Sequence, residues 1–238
     1  MWGRYYILVR DAWGYLIVEN MKLIMESWRG YVTEQDMTQD PDLAPSGGKV
    51  TGDPQVDQKM FDFFREFLPG GSKHGTDPEL CELDIEGTRL MCQDNKGLQR
   101  KVMPQLKTKD DKDLAEEFAK YLESKGVSVK TTTALASKLK ATQNQLKGAK
   151  VNGMNSALVA TDGKHPGIRA PIIISSDNYV LDGHHRWASQ VVYDFMNGIP
   201  SVDVAVRRVN LPIDKLLQVS KYDGEFCQTY GCVPPQGR

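Results

Sequence analysis

No stretch of the sequence approaches the roughly 18–20 consecutive apolar residues that crossing a bilayer requires. The opening run MWGRYYILVRDAWGYLIVEN is broken by Arg10 and Asp11 and has no small-residue cleavage site, so it makes a poor secretory signal. A soluble, cytoplasmic protein without a membrane partner is the expectation. Cysteine is scarce: Cys81, Cys92, Cys227 and Cys232 include no C-x-x-C pair. Their spacings are looser than those of zinc modules, so free thiols are expected, with a four-cysteine zinc site as the alternative. Acid is absent from Val127 to Lys150, a window that holds five lysines. No internal repeat is visible.

What is present is globular. Of 238 residues, 40 % are hydrophobic and 26 % charged, enough apolar material for one domain with appendages or two small domains. The net charge of −1 hides a gradient. Residues 1–95 carry 9 Lys/Arg against 17 Asp/Glu, residues 96–150 carry 13 against 6, and residues 151–238 balance at 8 against 8. The basic middle fits a surface facing a polyanion; a helix face solvated by lysines is the open alternative.

Along the chain, YYILVRDAWGYLIV reads as two strands around a turn, and the stretch from Met21, with Leu23, Ile24 and Trp28, as a short amphipathic helix. Met21-Lys22 also suits a start, which would make residues 1–20 a translated leader. Residues 38–54 are rich in Pro, Gly, Ser and Asp and read as a linker. PQVDQKMFDFFREFLPGG is a helix with Met60, Phe63, Phe64 and Phe67 clustered and a Pro-Gly-Gly stop. LCELDIEGTRLMC suggests a hairpin, and the segment after it, with Arg100 and Lys101, a loop. DKDLAEEFAKYLESKG is a helix stopped by Gly126, with Leu114, Phe118, Tyr121 and Leu122 on its apolar face. GAKVNGMNSALV reads as a helix, APIIIS and YVLDG as strands around the turn SDN, and HHRWASQVVYDFMNG as a helix. SVDVAVRRVN is a strand with Val202, Val204 and Val206 inward, followed by the helix PIDKLLQVSKY. The expected fold class is α+β: a small mixed sheet flanked by helices. The expected organisation is an N-terminal extension over 1–76, a domain over 77–226 and a tail over 227–238.

Chemistry concentrates in SSDNYVLDGHHRWASQVVYDF, Ser175 to Phe195. In the helix that follows Gly183, Trp187, Ala188, Val191, Val192 and Phe195 share one face. Arg186 points nearly opposite that stripe and His185 lies at its margin. Asp182 is expected to cap the helix. Gly183 permits close backbone approach. The unpaired N–H groups of the first turn, an arginine fork and two imidazoles together make a phosphate site.

PIIISSDNYVLDGHHRWAS resembles the box of the ParB/sulfiredoxin superfamily, particularly its bacterial and phage ParB-like members. In these, a strand–turn–strand leads into Asp-Gly-His-His-Arg and a helix. LKATQNQLKGAKVNGM, Leu139 to Met154, is similar to the family segment that precedes the box, and the likeness spans roughly residues 100–226 by element order. The resemblance implies the family fold and a nucleotide-phosphate site. Sulfiredoxins carry Gly-Cys-His-Arg; His184 stands where their reactive cysteine would be, so sulfur chemistry is not implied. Chromosome-partitioning members bind CTP through a Gly-Glu-Arg-Arg-like box, of which Gly183 and Arg186 match. Only about fifty residues follow, leaving no room for their helix-turn-helix domain, so sliding-clamp function is not expected. Free serine kinases share Asp-Gly-His-His-Arg and use an upstream glutamate as base. Gln143, Asn144 and Gln145 stand there instead, with Asp162 or Asp177 as off-position substitutes.

The leading expectation is a ParB-like protein that binds ATP, ADP or CTP and acts in phosphoryl transfer or hydrolysis. Gly183 and Arg186 would hold phosphate, helped by Gln143, Lys147 and Lys150. His184, His185 and Asp182 would serve the chemistry, Asp182 also holding Mg²⁺. One alternative is a nucleic-acid-binding protein or nuclease using residues 127–150 with Arg207 and Arg208. Another is a catalytically inactive phage accessory protein that docks a partner through its acidic N-terminal third.

Overall fold

The computed structural model of the chain describes residues 54–80, 95–199 and 201–234. By internal contacts the chain forms two units, Met1–Lys49 with Met196–Ile199 and Val50–Phe195 with Pro200–Arg238. The sheet and the candidate site belong to the second. The strands expected before Met21, the helix after it, the linker up to residue 53 and all of the hairpin beyond Leu80 lie outside the described residues, as do Cys81 and Cys92.

The second unit is α+β, with a five-stranded mixed open sheet flanked by helices. Its strands are β1 (Val129–Leu135), β2 (Lys140–Ala141), β3 (Ile172–Ile174), β4 (Tyr179–Asp182) and β5 (Asp203–Val209), in the order β1-β5-β3-β4-β2. β1 and β5 pair antiparallel with Thr132 opposite Val206, and β5 and β3 pair parallel with Arg207 opposite Ile173. β3 and β4 form the expected antiparallel pair around Ser176–Asn178, and β2 joins the far edge parallel to β4. The three isoleucines of central β3 are all buried, as a strand covered on both faces demands. On one face, Ile173, Leu181 and Val209 pack with Leu114, Phe118, Ile213, Leu216 and Phe226. These come from α2 (Ala115–Ser124), α6 (Ile213–Val219), α7 (Glu225–Tyr230) and the residue before α2. By alternation Ile172 and Ile174 turn to the other face, where Ile172 lies against Gly183. That glycine opens α5 (His184–Met196).

α1 (Pro54–Arg65) begins on a proline, which loses nothing by having no N–H there. Met60, Phe63, Phe64 and Phe67 are buried, as their clustering predicts. Phe64 meets Trp187 edge-on at 5.5 Å between ring centroids, and Phe61 stacks on Phe195 at 5.0 Å. α1 therefore packs against α5 across the expected boundary at 76/77. Pro69-Gly70-Gly71, the expected stop, makes a turn closed by Gly71 N–H on the Leu68 carbonyl (2.9 Å).

The expected tail also folds. α7 buries Phe226 and Cys227 and ends on Gly231 in the left-handed region, φ 70°. Cys227 and Cys232 are joined in a disulfide, which corrects the free-thiol expectation for this pair. Among the described residues no helix is long and apolar enough to cross a membrane.

Candidate functional site

Gly183 sits between β4 and α5 with φ 104°, a conformation L side chains rarely adopt. A Cβ there would lie 2.4 Å from Cγ2 of Ile172. The glycine is thus required by the strand-to-helix turn and by β3 itself. Its carbonyl accepts the Trp187 N–H at 2.8 Å, so Gly183, not Asp182, occupies the cap position. Asp182 is the last residue of β4, and its Oδ2 accepts from Nη2 of Arg186 at 2.7 Å. The expected capping role of Asp182 gives way to this ion pair one helical turn on.

From His184 to Phe195, Arg186 alone is not buried. The expected apolar stripe is correct, but the polar side of α5 is covered as well. Arg169 makes a two-pronged ion pair with Asp194, Gln190 donates to the Ile168 carbonyl (2.8 Å), and Ser189 donates to the His185 carbonyl (2.7 Å). α3 (Gly148–Ala160) and α4 (Pro166–Arg169) supply this cover.

Both histidines are buried, at 3 % and 7 % exposure. Nε2 of His184 accepts the Thr142 N–H at 3.1 Å and lies 3.5 Å from the Gln143 nitrogen. Nε2 of His185 accepts the Lys147 N–H at 3.0 Å. The imidazoles thus fasten the β2–α3 connection to the opening of α5. Burial lowers His184 from its ordinary 6.5 to about 3, with Arg100 adding to the shift. Burial lowers His185 to about 2, helped by Lys150, Arg100, His184 and Lys147. The general acid/base role expected of them needs a ring that titrates near neutral pH, and these stay neutral. A neutral ring accepting at Nε2 carries its proton on Nδ1. Among the described residues neither Nδ1 has a hydrogen-bond partner, and both residues line a small cavity of about 70 Å³ at the helix mouth.

Beside it lies a cleft of about 380 Å³, at the low end of the roughly 300–1,000 Å³ usual for small-ligand sites. Arg100, Lys107, Lys150 and Arg186 line it, as do Asp111, Asp113 and Asp182. Two of these cations are paired, Lys107 with Asp111 and Arg186 with Asp182. Asp113 accepts the Ala115 N–H at 2.8 Å, just ahead of α2. Lys150 pairs directly with no carboxylate among the described residues. Its amine is pushed down, first by desolvation and then by Arg100, although more than a third of the residue stays exposed. An anion would relieve this crowding of positive charge.

Of the expected phosphate ligands, Gly183, Arg186 and Lys150 meet at the cleft. Gln143 is buried at the small cavity, where its amide donates to the Gln145 carbonyl at 2.5 Å. Lys147 lines neither cavity; its ammonium lies 3.9 Å from Asp77 and its backbone serves His185. Arg100 was legible only as part of a loop, yet the 3₁₀ turn Arg100–Val102 brings it to both cavities. Asp162 pairs with Lys164, and Asp177 accepts the Ile213 N–H at 3.0 Å; neither lines the cleft or can serve there as a base. Among the described residues no group of three or more His, Cys, Asp or Glu side chains could hold a metal ion. Asp182 is shared with a guanidinium and lies near Lys150, surroundings that do not fit a protein-held Mg²⁺.

The basic window 127–150 spans the edge strands β1 and β2, their connecting turns and the first turn of α3, so its lysines do not share one helix face. Its lysines fan out: Lys130 and Lys138 are exposed, Lys140 lies 5.3 Å from the Tyr179 ring, and Lys150 enters the cleft. Arg207 is paired with Glu116, and Arg208 donates to Asn178 at 2.8 Å. No protein-family model, no curated protein and no solved structure matches the chain.

Proposed function

We propose that the chain is a cytoplasmic ParB/sulfiredoxin-type protein that binds a nucleotide or another phosphorylated small molecule at the mouth of α5. One observation carries the reading: Arg100, Lys150 and Arg186 line one cleft together with Gly183 and His185, and the neutral imidazoles of His184 and His185 line the small cavity beside it. Charged forks, a helix opening and fixed neutral donors are the groups that recognise phosphate oxygens.

The reading stops at binding. Among the described residues the cleft's three carboxylates are engaged, Asp113 by a backbone N–H and Asp111 and Asp182 in ion pairs. Both imidazoles hold their lone pairs against backbone N–H groups. Phosphoryl transfer or hydrolysis would need a base, and the described residues that line the cleft offer none. Isothermal titration with ATP, ADP, CTP and inorganic phosphate, with and without Mg²⁺, tests the proposal. At least one should bind wild type and bind Arg186→Ala roughly 10–100-fold more weakly, the range for losing a charge-assisted pair. Absence of binding by any of them to folded wild type overturns it.

A further inference from the structure

The outer wall of the cleft is a short loop, residues 106–114, that carries Leu106, Lys107, Asp111 and Asp113 to the cavity. It closes on itself through Thr108 N–H on the Lys112 carbonyl (3.0 Å) and Leu114 N–H on the Leu106 carbonyl (2.8 Å). Its outer strand rests on the segment just after α7. Val233 N–H donates to the Lys107 carbonyl at 2.8 Å, and Thr108 and Cys232 form an antiparallel bridge. Cys232 is one end of the disulfide whose other end, Cys227, lies inside α7. Leu106, Cys227 and Cys232 share one buried cluster with Phe118 and Phe226. The covalent bond therefore fixes, relative to α7, the two residues on which the cleft wall leans.

We propose that the Cys227–Cys232 disulfide is a redox clamp on the cleft wall: oxidised, it holds residues 106–114 in the anion-binding arrangement; reduced, it releases them. The reductant is a dithiol. Its thiolate attacks one sulfur, the S–S bond breaks, and the other sulfur leaves as a thiolate that takes a proton. The second thiol of the reductant then closes its own disulfide and frees the first cysteine. Two electrons and two protons pass to the protein pair. Both sulfurs belong to residues at most 4 % exposed, but residues 228–231 between them are all exposed. A local opening of that loop suffices to admit the dithiol. The regulatory consequence rests on the phosphate-binding reading; the mechanical one does not.

The test is hydrogen–deuterium exchange over residues 104–114 of the full chain, with and without dithiothreitol. Wild type is compared with Cys227→Ser/Cys232→Ser, and alkylation mass spectrometry confirms that the bond has opened. Reduction should speed exchange of the Lys107–Thr108 region of wild type by about 10-fold or more, the scale of a local opening. The double variant should exchange fast in both conditions and respond to dithiothreitol no further. ATP titration run in parallel should weaken on reduction in wild type only. Unchanged exchange over 106–114 in a chain shown to carry alkylated Cys227 and Cys232 overturns the clamp. Faster exchange with no nucleotide bound in either state upholds the clamp and overturns the phosphate reading instead.

Discussion

Arg186 reaches back one turn of α5 to Asp182, with Nη2 2.7 Å from Oδ2, and in doing so lays its side chain over Gly183. The guanidinium side chain is 11 % exposed and the carboxylate 38 %. The pair holds the fork at the helix mouth while cancelling part of its field. Asp182→Asn keeps a partner for Nη2 and removes the negative charge. Phosphate or ATP should then bind roughly 3–10-fold more tightly, since like charges at a desolvated site repel. Weaker binding by titration calorimetry would mean that the carboxylate is needed for more than holding the arginine. Arg186→Lys keeps the charge but loses the planar fork, and should bind more weakly than wild type.

The two imidazoles make an acid-sensitivity prediction. Their folded values of about 3 and about 2 lie below the ordinary 6.5 of an exposed histidine. As pH falls through 6.5 the unfolded chain takes up these protons first. The stability they contribute is complete above pH 6.5 and is lost progressively as pH falls toward the folded values. Each group should contribute about 1.4 kcal/mol per pH unit within that window. His185→Gln supplies an amide oxygen for the Lys147 N–H but does not titrate. Urea unfolding between pH 6.5 and 5 should show a smaller pH slope for this variant by roughly one proton. An unchanged slope would place the His185 ring outside the buried hydrogen bond.

Gly183→Ala should destabilise the fold by roughly 2–4 kcal/mol, because the added methyl meets Ile172 and the backbone angle is unfavourable for alanine. Ile172→Ala alone costs stability by leaving a hole in central β3. Combined, the two changes should cost somewhat less than the sum of the singles, since Ile172→Ala removes the Cγ2 contact while keeping a Cβ 2.7 Å from the added methyl. Additive losses in denaturant melts would place the steric conflict elsewhere.

The joining of α1 to the main core is testable in the same way. Phe64 is fully buried against Trp187, so Phe64→Ala should cost about 3–5 kcal/mol. A chain beginning at residue 77 should lose far more and fail to give a cooperative melt. A cooperative, undiminished melt of that fragment would restore the boundary at 76/77.

Legibility followed sequence distance. The pair β3–β4, its SDN turn and the Trp187–Phe195 face of α5 are written locally, in period-2 and period-3.6 patterns, and stand as read. The fates of His184 and His185 are not local. Their acceptor roles depend on backbone N–H groups 42 and 38 residues away, so a helix wheel places His185 at a margin and cannot show the β2–α3 connection fastened on both rings. The pairing of Arg169 with Asp194 spans 25 residues and hides the polar side of α5 in the same manner. Arg100 had no periodic context to mark it. Cys227 and Cys232 did carry a local signal: a glycine just before the second cysteine ends α7 in a left-handed turn and folds the chain back on the first. Cysteine spacing alone points instead to free thiols.

The central claim is an anion seat at the mouth of α5, and a crystal structure of the chain soaked with ATP tests it most directly. The account predicts phosphate oxygens within hydrogen-bond distance of the Arg186 fork, Lys150 Nζ and at least one histidine Nδ1. A nucleotide bound elsewhere, with the cleft holding only water and Arg186 still closed on Asp182, would contradict it.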